Sequence, residues 1–220
     1  YIVLFCKSNS SLNSIDLSFG WSSLSPGERI ILVFQFRDPD IKYFYGWGGG
    51  KKPWSFAKFF SPKASFEIEN KIEYINVYTK CEIEEAVFNL KIYEVKQNGE
   101  PDVNLFKNIQ AQAQFGEHWT CINVSESEIK LPKKGLFISV NRIEIESNKV
   151  EYNCHKSNSE IRIISFDYEP GIGTVPKSDN AKSWIFKNDE WKKVSKNKLA
   201  ILSNYAEKYI EPAIELVFES

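Results

Sequence analysis

In Ala86-Val-Phe-Asn-Leu-Lys-Ile-Tyr93, apolar Phe88, Leu90 and Ile92 alternate with polar Asn89 and Lys91. Successive side chains of a strand point to opposite faces, so this pattern fits a half-buried antiparallel strand. No segment carries the 3.6-residue period of an amphipathic helix. The nearest approach, Tyr205 to Ile210, is cut by Pro212, after which Ile214, Leu216 and Phe218 alternate as an edge strand would. A chain with such strands and no helix must bury one sheet face against another, which predicts an all-β fold: an antiparallel, jelly-roll-like β-sandwich. The aromatic surplus, 16 Phe, 10 Tyr and 6 Trp, favours strands in the same way.

The punctuation between apolar runs sets the expected strands. Arg29 to Phe36, apolar on both faces after Pro26-Gly27, reads as a central strand. Ile72 to Tyr78 and Ala86 to Tyr93 read as strands separated by a solvated acidic face at Glu82, Glu84 and Glu85. Asn98-Gly99 predicts a type I′ hairpin turn with a return strand from Leu105 to Phe115. From Gly135 to Glu146 the apolar phase shifts, which predicts a β-bulge near Asn141-Arg142. Ser147-Asn148 reads as a tight turn into Val150 to Cys154, with further strands at Ile161 to Tyr168, Ser183 to Lys187, Trp191 to Val194 and Leu199 to Tyr209. All 220 residues fit one sandwich domain, with residues 1–42 the segment that would form a separate N-terminal extension.

Composition narrows the function. The 28 Lys and Arg are offset by 29 Asp and Glu along the chain, leaving no basic excess for nucleic acid. No run of about 20 apolar residues offers a transmembrane helix. A chain that starts at Tyr1 and contains no Met is expected to be a mature or trimmed piece. Cys6, Cys81, Cys121 and Cys154 form no CxxC pair and are expected to be buried thiols, since a core of this size needs no staple.

The stretch Tyr43-Phe-Tyr-Gly-Trp-Gly-Gly-Gly-Lys-Lys-Pro-Trp-Ser-Phe56 resembles a phosphate loop at first sight. It fails the pattern twice, because Gly50-Lys51 is followed by Lys52 and position 45 is Tyr. It is expected to be a glycine-rich loop, and Tyr43, Tyr45, Trp47 and Trp54 are its candidate ligand-binding residues, offering flat apolar faces with polar edges to a sugar ring or a partner protein. Trp119, Trp184 and Trp191 admit the same use, although Trp184 and Trp191 flank the Asn188-Asp189 turn and are expected to pair across a hairpin.

His118, Cys121, Cys154 and His155 supply the residue types of a zinc site, but adjacent strand residues diverge, so no metal site is expected. The same divergence, with no nucleophile context, counts against a Cys-His protease. Asp38-Pro39-Asp40 reads as a turn, and the sequons at Asn9 and Asn123 are short enough to arise by chance. No catalytic constellation and no cofactor motif emerges.

Phe59-Phe-Ser-Pro-Lys63, Ile72 to Tyr78, Phe88 to Tyr93, Asn98-Gly99-Glu100-Pro101, Leu131 to Ile138 and Ser183 to Lys193 together resemble a jelly-roll domain of secreted or outer-membrane-associated proteins of Bacteroidetes-type bacteria. The resemblance spans roughly residues 43–209 and carries no catalytic residues. With the all-β pattern, the aromatic surplus and the missing catalytic constellation, the expectation is a non-catalytic binding or interaction module of the bacterial envelope, periplasmic, outer-membrane-associated or extracellular, whose partner is a glycan or an envelope protein. The alternative is a carboxylate-dependent glycan-processing enzyme on the same fold, which needs two acidic groups about 5 to 9.5 Å apart.

Overall fold

The computed structural model describes residues 31–32, 41, 43–46, 54–62, 71–106, 108–155, 162–180, 182–197 and 205–218. Asp38-Pro39-Asp40, Trp47, Cys6, the Asn9 sequon and most of the expected strands at Arg29 to Phe36 and Leu199 to Tyr209 lie outside them. Among the described residues the chain is all-β and contains no α-helix.

In chain order the strands are β1 (Ile31–Leu32), β2 (Tyr43–Tyr45), β3 (Ser55–Phe60), β4 (Ile72–Val95), β5 (Pro101–Asn104), β6 (Ile109–Asn123) and β7 (Leu136–Asn141). They continue with β8 (Lys149–His155), β9 (Arg162–Tyr168), β10 (Gly171–Lys177), β11 (Ser183–Lys187), β12 (Glu190–Lys193), β13 (Tyr209–Pro212) and β14 (Ile214–Phe218). All pairings between these strands are antiparallel, as expected. One path runs β1-β14-β4-β7-β3-β11-β12, with β2, β5, β6, β10 and β13 attached to it, while β8 and β9 form a separate ribbon.

The long strands β4 and β6 organise this sheet into a sandwich. The two expected strands at Ile72–Tyr78 and Ala86–Tyr93 are one continuous element, and the acidic run between them is a bend rather than a loop. From Cys81 to Glu85 β4 advances four residues while β6 moves only two, from Gly116 to Gln114. Gly116, at φ 100°, occupies a conformation other residues avoid.

The core side of β4 passes there from Ile75 and Val77 to Phe88, Leu90 and Ile92. An odd-to-even switch would normally turn an apolar face outward, so the bend keeps both halves of the strand facing one interior. That interior joins Phe56, Phe88, Leu90 and Ile138 to Ile75, Val77, Ile214 and Leu216. Lys58 crosses it, fully buried on β3, and donates from Nζ to the Ile214 carbonyl of β14 at 2.8 Å.

Several local expectations need correction. At Asn98-Gly99 only Gly99 has positive φ, and its N–H donates to the Lys96 carbonyl, so the turn is not type I′. The return strand begins at Pro101, pauses after Asn104 and resumes at Ile109. Both central residues of the β11–β12 hairpin, Asn188 and Asp189, have φ near 60°, which is the type I′ signature. The phase change after Val140 is no bulge, because β7 simply ends at Asn141. β14 is no edge strand: it lies between β1 and β4 with all five residues buried. Tyr205 to Glu207 form a turn, and the strand there starts only at Tyr209.

The expected turn at Ser147-Asn148 is present as a 3-10 turn with a structural purpose. Asn148 is buried, accepts from the Val87 N–H at 3.0 Å, and donates to the Val87 and Ile143 carbonyls at 2.7 and 3.0 Å. Asn148→Ala is expected to lower stability by about 2 kcal/mol, measured by denaturant unfolding, because buried backbone groups of β4 lose their partners.

Candidate functional site

Two aromatic surfaces flank the layer containing β3. The first holds the residues expected from the sequence. Tyr43 and Tyr45 lie on strand β2 rather than in a loop, and all of Tyr43, Tyr45 and Trp54 are half-buried. Tyr43 packs on Tyr205, with centroids 5.9 Å apart. Tyr45 sits between Phe56 at 5.1 Å and Trp54 at 6.0 Å, and the Lys187 ammonium lies 4.3 Å from the Trp54 ring centre. Burial, with Tyr43 beside it, pushes the Tyr45 phenol up to about 12.

Charged groups adjoin this cluster. The Arg142 N–H donates to the Trp54 carbonyl at 3.3 Å, and its guanidinium stands 5.3 Å from the Tyr168 ring centre and pairs with Glu144. Gly46, next to Tyr45, lies so near Asp167 that a Cβ would sit 3.2 Å from Oδ2. Glu169, which is buried, accepts from the Gly171 N–H at 3.1 Å and from Tyr152 Oη at 3.4 Å. Burial first, then Glu82 and Asp167, raises its carboxyl against the lowering effect of the Gly171 N–H. Burial and the Glu169 charge push the Tyr152 phenol up to about 12.

The second surface, on the opposite face of that layer, joins Trp184 and Trp191 to residues that the sequence did not single out. Strand register places Gln110, Asn89, Asn141, Ser55, Phe186 and Trp191 in one cross-strand row. The next row is Lys91, Ser139, Ala57, Trp184 and Lys193, and the third joins Tyr93, Phe137 and Phe59. These rows hold no Asp or Glu. Trp184 and Trp191 are therefore not cross-strand partners: Trp191 opposes Phe186 and Trp184 opposes Lys193.

β12 is four strand steps from β4, about 19 Å on a flat sheet. The Trp191 ring nevertheless meets the Tyr93 ring edge-on at 5.3 Å, and Trp184 meets Phe137 at 6.3 Å. The hairpin's aromatic side chains thus reach back over β3 and β7 and shelter a polar row. There Ser139 donates to Asn141 Oδ1 at 2.7 Å, Asn141 Nδ2 donates to Ser55 Oγ, and both Ser139 and Asn141 bond with the Tyr93 phenol. Toward β6 the face opens, with Gln110 and Gln112 exposed.

The signal for this face was in the sequence: the polar phase of Asn89-Leu-Lys-Ile-Tyr93 and the run Gln110-Ala-Gln-Ala-Gln114, whose alternation puts amides opposite a core-facing Ala111 and Ala113. Trp119 belongs to neither surface and meets Tyr78 edge-on at 5.3 Å. His118 and Cys121 fall on opposite faces of β6, pairing with Thr79 and Asn76. Among the described residues no group of three or more His, Cys, Asp or Glu is placed to hold a metal, and no helix is long and apolar enough to cross a membrane.

No family model matches the sequence, and no curated protein matches it. Two solved structures of Cwp84 align with this chain. A structure of the clostridial cysteine protease Cwp84 after propeptide cleavage aligns at TM-score 0.50 and 14% identity, covering 90% of this chain and 42% of that one. A structure of the cysteine protease and lectin-like domains of Cwp84, a surface-layer-associated protein of Clostridium difficile, aligns at TM-score 0.42 and 15% identity, covering 76% and 32%. The chain thus spans less than half of either solved chain, and likeness at this identity concerns the fold alone.

Proposed function

We propose that this chain is a non-catalytic binding module of a bacterial cell envelope and that its ligand is a sugar chain lying across the Gln110 and Asn89 amides and the half-buried rings of Tyr93, Trp184 and Trp191, which cover β7 and β3. The observation that carries this is the make-up of that face: amides on one side and half-buried aromatic rings on the other, above a buried polar row of Ser139, Asn141 and Ser55. Sugar rings present apolar C–H faces that stack on aromatic rings, and hydroxyls that both donate and accept, which amide side chains match. For Tyr43, Tyr45, Trp47 and Trp54 we propose a second contact of the same kind, with Trp54, just before β3, as its most testable member. A position at the cell surface, a jelly-roll path and a single domain are parts of the same proposal.

A glycan array probed with the whole chain tests it. Asn89→Ala and Gln110→Ala, at half-buried and exposed positions, are expected to leave the melting temperature nearly unchanged, since such substitutions usually stay within about 0.5 kcal/mol. Binding to the glycan that the wild type retains is expected to fall at least tenfold. Unchanged binding in both variants would remove the ligand from this face, and a loss confined to Trp54→Ala would move it to the start of β3.

A second reading follows from Glu169, Glu82 and Asp167. A raised carboxyl beside other carboxylates is the arrangement a carboxylate-dependent glycan-processing enzyme uses to keep one group as acid and another as base.

A further inference from the structure

We propose that the outer face selects an anionic sugar chain, one bearing carboxylate or sulfate groups, over its neutral counterpart. The proposal rests on the sugar-binding reading above and adds the charge of the ligand to it. Its basis is the row that runs from Lys91 on β4 through Ser139, Ala57 and Trp184 to Lys193 on β12. A lysine thus stands at each end of a row whose middle residues, Ser139 and Ala57, are buried and whose Trp184 is half-buried. Neither lysine is paired with a carboxylate among the described residues, whereas Lys192, which points to the other face, pairs with Glu190.

The chain carries 29 acidic residues against 28 Lys and Arg, yet none of the acidic ones falls in these three rows. A carboxylate in these rows would repel an anion and compete for the lysines. The side-chain chemistry divides the work. Trp191 and Tyr93 offer ring surface, Gln110 and Asn89 offer paired donors and acceptors, and Lys91 and Lys193 offer cationic donors for the charged substituents.

Two other occupants fit less well. A protein partner would meet lysines where interface cores are depleted of them. A single-stranded nucleic acid would find rings to stack on but only two cations among the described residues of these rows, too few for the counterion release that drives such binding.

The test displays uronate- and sulfate-bearing oligosaccharides beside their methyl-esterified and desulfated forms, with a thymidine oligonucleotide alongside, against the whole chain at about 50 and about 200 mM salt, a range over which charge-driven binding weakens measurably. The acidic sugars are expected to bind at least tenfold tighter than their neutral forms, and to weaken at the higher salt. The double variant Lys91→Gln, Lys193→Gln should erase that preference, with the melting temperature of the wild type retained. Equal binding of acidic and neutral forms would overturn the charge selectivity and leave the sugar-binding reading standing. A preference that survives in the double variant would overturn it too, as would tighter binding of the oligonucleotide. No binding of any sugar would overturn both.

Discussion

Raising the pH from about 7 to about 10 is expected to stabilise the fold, and Lys58→Met is expected to abolish that gain. Lys58 has no exposed surface, and burial pulls its ammonium down to about 7, despite the opposing charges of Glu211 and Glu215. The unfolded chain holds the same proton to a pH near 10.5. Between those values the unfolded state binds more protons, so stability rises with pH; below about 7 the folded state bears the whole cost of a buried charge. A shift of this size corresponds to a gain on the order of 3 to 5 kcal/mol. Urea unfolding at one-unit steps across this pH range measures it. The wild-type curve should climb while the Lys58→Met curve stays level by comparison; parallel curves would mean that Lys58 keeps an ordinary lysine affinity for its proton.

Gly135→Ala should be as costly, for a purely steric reason. Gly135 enters β7 at φ 81°, and a Cβ there would run into the Phe60 carbonyl and lie 2.6 Å from a Phe59 ring carbon. Left-handed backbone alone costs a non-glycine residue about 1 to 2 kcal/mol, and overpacking typically adds about 1 to 3. Gly99, at φ 83°, has open space around it. Gly99→Ala should therefore show only the backbone part, about 1 to 2 kcal/mol. Thermal melts of the two variants separate the contributions, and equal losses would refute the clash.

Much of the fold was legible because period-two alternation reports burial directly. Phe88, Leu90 and Ile92 face the core as read, and the β11–β12 hairpin lies where Asn188-Asp189 placed it. Errors came where one strand does two jobs. The bend at Cys81 to Glu85 looks like a solvated loop, since its acidic residues are exposed, yet the ladder to β6 resumes beyond it. β10, Gly-Ile-Gly-Thr-Val-Pro-Lys, lacks any strand pattern and is made possible by close packing. A Cβ on Gly173 would lie 2.8 Å from both Ile41 and Tyr78.

The candidate site was harder to read than the fold. Side-chain type marked Tyr43, Tyr45 and Trp54, but register is what gathers Asn89, Lys91, Asn141, Trp184 and Trp191, from β4, β7, β11 and β12, onto one face. Register between strands distant in sequence is set by the whole sheet, and no local pattern encodes it.

The most direct test of the central claim, that the chain binds a sugar without cutting it, is to incubate the retained oligosaccharide with the protein and count reducing ends. The oligosaccharide is expected to be recovered intact, from the wild type and from Glu169→Gln alike. New reducing ends that appear with the wild type and vanish with Glu169→Gln would contradict the claim and establish the carboxylates of Glu169, Glu82 and Asp167 as the working site.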